Sequence, residues 1–93
     1  MTYRVELSAL ARTRLGALSP PVQARILEHL TGLADDPSPP ATEWLTGPLR
    51  GLRKVRVGDY RVVYEVDEPG RLVHVATVGH RHTVYKEAQR LRR

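Results

Sequence analysis

The chain contains no cysteine. That excludes a disulfide framework, a thiolate nucleophile and any cysteine-ligated zinc site. It also lacks an apolar run near the roughly 20 residues that a membrane-spanning helix requires. The opening "MTYRVELSAL" has neither the basic start nor the long apolar stretch of a secretory signal. A cytoplasmic protein without membrane contact is therefore expected. The four histidines, His29, His74, His80 and His82, match no spaced metal-binding motif. No metal and no other cofactor is expected. There is no internal repeat, and 93 residues leave room for one hydrophobic core. A single domain over residues 1–93 is the expectation.

Acids are scarce in the second half relative to bases. Residues 1–49 carry four arginines against five carboxylates, a net −1. Residues 50–93 carry eleven lysines and arginines against five carboxylates, a net +6. A basic half on a small domain suits a polyanion or an acidic partner. A solvated surface ending in the basic tail "QRLRR" satisfies the same count, so charge alone does not decide.

What is present is a clear order of elements. Tyr3, Val5 and Leu7 alternate with Arg4 and Glu6, the pattern of a strand. Ser8 is placed to cap a short helix through Leu15. Ser19 followed by Pro20 and Pro21 starts a second helix. Val22, Ile26, Leu27, Leu30, Leu33 and Ala34 then recur at helical spacing until Pro37. The stretch "DDPSPPATEW" reads as a proline-rich loop, with Leu45 and Leu49 beyond it as anchors. Valine-rich runs over 53–57, 60–66 and 72–78, bounded by turn residues, give three strands. Residues 85–92 close the chain as a short helix. The fold class is α+β: an N-terminal strand, a helical hairpin on one face of the sheet, and a three-stranded antiparallel meander, β-α-α-β-β-β.

The register of the hairpin "KVRVGDYRVVYEV" sorts its side chains. With Gly58 and Asp59 at the centre of a two-residue turn, Val57 pairs with Tyr60 and Arg56 with Arg61. Side chains alternate along each strand and paired residues share a face. Lys54, Arg56, Arg61, Val63 and Glu65 therefore occupy one face. Val55, Val57, Tyr60, Val62, Tyr64 and Val66 occupy the other, which the helices cover. The first face is expected to be open and electropositive. Like charges directly opposite each other cost up to about 1 kcal/mol, and a bound anion would relieve that repulsion. Neutralisation by Glu65 or a C-terminal acid is the alternative.

A second stretch, "VGHRHTVY", follows the last strand. Gly79 permits a bend, after which His80, Arg81, His82 and Tyr85 are expected to reach the cationic face. Arg81 adds a planar, bidentate phosphate ligand. Tyr85 offers a stacking platform for a base. Histidine is the side chain whose reference pKa lies near neutrality, so His80 and His82 are candidates for proton transfer. Fixed cations, a base and an aromatic platform suit cleavage of RNA by its own 2′-hydroxyl. A non-catalytic binding module presents the same face.

"LTGPLRGLRKVRVGDYRVVYEV" followed by "VGHRHTVY" resembles the RelE/ParE superfamily of bacterial and archaeal toxins, partners in type II toxin–antitoxin modules. The similarity runs from the first strand to Tyr85. It implies a compact fold of the microbial-ribonuclease type. In the RelE branch it implies metal-independent cleavage of messenger RNA at the ribosomal A site, leaving a 2′,3′-cyclic phosphate. The active-site positions implied by the resemblance fall on Lys54, Arg56, Arg61, Arg81 and Tyr85. At one of them the family pattern is broken. The position that is lysine in RelE-like enzymes, and there the general base, is Arg56. Arginine stays protonated and is a poor base, so in a cleaving enzyme Lys54 or His82 (or His80) must take that role, or the rate is low.

The ParE branch implies a different activity, inhibition of DNA gyrase without chemistry by the toxin. A weakened relative kept for antitoxin binding is the third reading. The partners implied are a cognate antitoxin, RelB-like or other, together with the ribosome and its messenger. The antitoxin is expected to be acidic or mixed in charge and to fold on the toxin as a hetero-oligomer. Trp44 and Leu45 are candidates to line an antitoxin groove, with anchoring in the core as the plainer role.

Overall fold

A computed structural model describes residues 3–91, and each element has a local cause in the sequence. Strand β1 is Arg4–Leu7. The Ser8 hydroxyl accepts from the Ala11 amide at 3.0 Å and so caps α1, Ala9–Gly16. Pro20 and Pro21 occupy the first turn of α2, Pro20–Asp35, where a missing amide hydrogen costs nothing. Ser19 precedes them but makes no side-chain cap. Next come β2, Glu43–Trp44, and a 3₁₀ turn over Gly47–Leu49. The meander is β3, Arg53–Val57, β4, Tyr60–Asp67, and β5, Leu72–His80. Helix α3, Val84–Leu91, follows. Arg92, where the last helix was expected to end, and Arg93 of the basic tail lie outside the described residues.

The α+β class and the expected element order hold, with one strand added. The five strands lie in the order β1-β5-β4-β3-β2, β1 parallel to β5 and the other neighbours antiparallel. The two residues of β2, in a stretch that reads as loop, pair with β3 through Glu43 opposite Lys54 and Trp44 opposite Arg53. No described helix is long and apolar enough to cross a membrane.

Helices α1 and α2 cover one face of the sheet. Ala11, Ile26, Leu30 and Leu33 pack there on Val55, Val57, Val62, Tyr64, Val73, Val75 and Val78. The opposite face carries a second, smaller core: Val63 and Ala76 lie under Leu49, Leu52, Val84 and Ala88. The face expected to be open is therefore open only in part. Val63 is fully buried because the 3₁₀ turn and α3 fold across it, which stabilises the fold by about 1.5–3 kcal/mol for a side chain of that kind. What stays uncovered on that face is the region towards the β3–β4 turn, and the site lies there.

Candidate functional site

The hairpin register is the expected one. Arg56 pairs with Arg61 and Val57 with Tyr60. Gly58 takes a φ of 63°, the left-handed conformation that the tight turn needs and that glycine adopts without a Cβ clash. The two guanidinium groups share one acceptor. Arg56 Nε donates to the Gly58 carbonyl at 3.3 Å, and Arg61 Nη1 donates to the same oxygen at 3.0 Å and to the Tyr60 carbonyl at 2.9 Å. This common carbonyl partly offsets the repulsion of the facing arginines.

Lys54 lies further along β3 on the same face, paired with Val63. Its ammonium is 5.3 Å from the centre of the Tyr85 ring and 3.6 Å from Glu43 Oε1. Tyr85 is held there because its neighbours Val84 and Ala88 are fully buried in the second core. The backbone amide of Arg81 donates to the Asp59 carbonyl at 3.0 Å, which docks the β5–α3 connection on the hairpin tip. Arg81 is exposed, and its backbone is held at the hairpin tip by that bond. Lys54, Arg56, Arg61 and Tyr85 are thus brought together, and the Arg81 backbone is docked on the adjoining turn.

The two histidines are placed elsewhere. His80 pairs with Tyr60, on the face that α1 and α2 cover, and its ring meets the Tyr60 ring edge-on at 5.8 Å. The His82 ring lies 4.9 Å from that of His80, and the His82 amide donates to His80 Nδ1 at 3.3 Å. The physical reason is the position of the irregularity in β5. Gly79 pairs with Arg61 in ordinary register, so alternation turns His80 away from the cations. The bulge lies earlier. Val63 pairs with Thr77 and Tyr64 with Val75, leaving Ala76 as the extra residue. The Ser8 hydroxyl donates to the Ala76 carbonyl at 2.6 Å.

Glu43 is the site group that sequence reasoning missed. It follows a run of prolines and reads as loop; only its pairing with Lys54 across β2–β3 brings it to the site. Neither proposed neutraliser fills that place: Glu65 lies beyond the bulge, 4.0 Å from His74 Nδ1, and Glu87, the acid of α3, pairs with Arg14. Leu45 packs on the second core as an anchor, whereas Trp44 is 62% exposed, with the Arg53 guanidinium 4.3 Å from its ring. Arg53 itself is buried and donates to Ser38 Oγ at 2.6 Å, so it does not join the cationic face.

Residues 5–85 match the family described as ParE toxin of type II toxin-antitoxin system, parDE. The chain belongs to the RelE/ParE superfamily of type II toxins. The toxin is 29% identical over 86 residues to Toxin RelG of Mycobacterium tuberculosis, across 92% of this chain and 99% of that protein. Its fold matches the RelE of an archaeal RelE–RelB complex from Pyrococcus horikoshii with a TM-score of 0.76. The two are 30% identical, over 87% of this chain and 97% of that one. A variant of E. coli toxin RelE in the free state superposes with a TM-score of 0.79 at 25% identity, over 98% of each chain. The compact α+β architecture of the toxin is that of RelE-like proteins.

Proposed function

We propose that this toxin cleaves messenger RNA on the ribosome, at the codon in the A site, by a metal-independent reaction. The observation that carries the reading is the convergence of Lys54, Arg56 and Arg61 with Tyr85 on one uncovered patch of the sheet. The substrate 2′-oxygen attacks the adjacent phosphorus, the bond to the 5′-oxygen breaks, and a 2′,3′-cyclic phosphate and a 5′-hydroxyl result. Arg56, Arg61 and Arg81 stabilise the added negative charge in the transition state. Arg56 cannot accept the 2′-proton, and the histidines face the other way. Glu43, a carboxylate beside Lys54, is the proton acceptor this geometry offers. The Lys54 ammonium or the Tyr85 hydroxyl returns a proton to the leaving oxygen.

A cognate antitoxin of acidic or mixed charge, RelB-like by analogy with the complex from P. horikoshii, would neutralise the toxin by covering the cationic patch or displacing α3. A ribosomal target places the toxin in the cytoplasm. The matched family is named for ParE and Arg56 stands in place of a lysine, which favours gyrase inhibition without RNA chemistry as the second reading.

The test is induced expression of the toxin alone, with primer extension on a translated messenger. Wild type is compared with Arg81→Ala and with translation blocked. Cuts inside translated codons that vanish in the variant and without translation support cleavage. Growth arrest with intact messenger moves the assignment to gyrase, and no arrest moves it to a weakened antitoxin-binding relative.

A further inference from the structure

Four arginines from four parts of the chain gather round the Gly58–Asp59 tip. Arg56 and Arg61 donate to the Gly58 carbonyl, and the Arg81 backbone amide is tied to the Asp59 carbonyl. The fourth is Arg25, on the opposite side of the sheet. A Cβ on Gly58 would stand 3.4 Å from Arg25 Nη2 and 3.8 Å from Nη1, so the guanidinium lies against the bare Cα of the turn. Arg25 is exposed, and among the described residues it makes no hydrogen bond or ion pair. The Gly58 carbonyl already accepts twice, and the guanidinium of Arg25, packed beside it, stays exposed.

We propose that Arg25 and the Gly58 tip form a second phosphate subsite, which holds the backbone of the bound single-stranded RNA beyond the reacting phosphodiester. The inference rests on the RNA reading of the cationic face and extends it round the sheet edge. A guanidinium fork with free donors is the side chain best matched to a phosphodiester. Behind Arg25 a groove of about 340 Å³ runs between α2 and β3, lined by Arg25, Glu28, His29, Leu33, Pro39 and Val55. It gives the strand a bed once it has crossed the tip. Glu28 in its lining keeps the groove from forming a continuous cationic track, so the contact amounts to a single phosphate.

The test is equilibrium binding of a short single-stranded RNA to the antitoxin-free toxin over a salt series. Arg25→Gln is compared with wild type and with Arg4→Gln, which removes the same charge at the far edge of the sheet. Glutamine is a good helix former at this exposed position, so α2 is retained. Arg25→Gln is expected to weaken binding several-fold and to reduce the salt slope by about 0.7, the loss of one phosphate contact on a single strand. Arg4→Gln should leave both unchanged. In cleavage assays Arg25→Gln should raise KM and spare kcat.

An unchanged slope in Arg25→Gln overturns the subsite, as does an equal loss in Arg4→Gln. So does a wild type that does not bind the single strand. A loss seen only with message-free ribosomes also overturns it, since ribosomal RNA would then be the ligand. A toxin that binds RNA through Arg25 and never cuts a message removes the cleavage reading while leaving the subsite standing.

Discussion

The Lys54 ammonium stands 5.3 Å from the centre of the Tyr85 ring, although one residue lies on β3 and the other in the first turn of α3. A cation over an aromatic face contributes about 0.5–1 kcal/mol where solvent reaches it. The greater consequence is positional. The second core anchors Val84 and Ala88, and this fixes the ring beside the one amine on the cationic face.

Tyr85 should therefore separate stacking from proton transfer. Tyr85→Phe keeps the ring beside Lys54 and removes only the hydroxyl. Cleavage of translated messenger is expected to fall by about 10²-fold, within the range of general acid catalysis, with Tyr85→Ala lower still. Single-turnover cleavage on programmed ribosomes measures both. Full activity in Tyr85→Phe would leave the proton to Lys54.

Glu43 tests the assignment of the base. If the carboxylate accepts the 2′-proton, Glu43→Gln lowers kcat by about 10²–10⁴-fold with little change in KM. An increase in rate would show instead that Glu43 competes with RNA for Lys54. Arg56→Lys belongs in the same experiment, because an amine at that position can lose a proton where a guanidinium cannot. With Glu43 as the base, that variant should leave kcat near the wild-type value.

The hairpin was legible because a two-residue Gly-Asp turn leaves a single register, and that register put Lys54, Arg56 and Arg61 on one face. Ser8 and the Pro20–Pro21 pair likewise act over one helical turn, so their roles could be read locally. The features that escaped all depend on distant partners. Strand β2 has only two residues, and its pairing with β3 is non-local. The bulge at Ala76 involves a hydroxyl 68 positions away in the chain. Without the bulge's location, Gly79 reads as the bend, and His80 and His82 fall on the wrong side. The cover over Val63 comes from α3 and the 3₁₀ turn, and no periodicity within β4 announces it.

That cover makes the second core a support for the site, which Leu49 can test. Leu49 is 5% exposed and packs in the 3₁₀ turn that contacts α3. Leu49→Ala and Ile26→Ala, the latter in the core under α2, should each cost about 2–5 kcal/mol by urea denaturation. Only Leu49→Ala should also slow cleavage under conditions where both variants stay folded, because it loosens the seat of Tyr85. Equal activity in the two would show that α3 holds its place without this core.

Tyr64 links stability to pH at the opposite face. Its hydroxyl donates to the Pro37 carbonyl at 2.7 Å. Burial pushes its phenol above the ordinary tyrosine value, with Thr42 and Arg53 pulling the other way. The unfolded chain therefore loses this proton first, at about pH 10, while the native state still holds it. The contribution is fully present below that pH and is lost as pH rises through and beyond it. Tyr64→Phe should cost about 1 kcal/mol near neutrality, the net worth of one hydrogen bond. Above the ordinary tyrosine pKa, the stability gap between variant and wild type should narrow. Urea denaturation of both proteins across that range gives the answer, and a constant gap would show that the phenol titrates alike in the folded and unfolded chains.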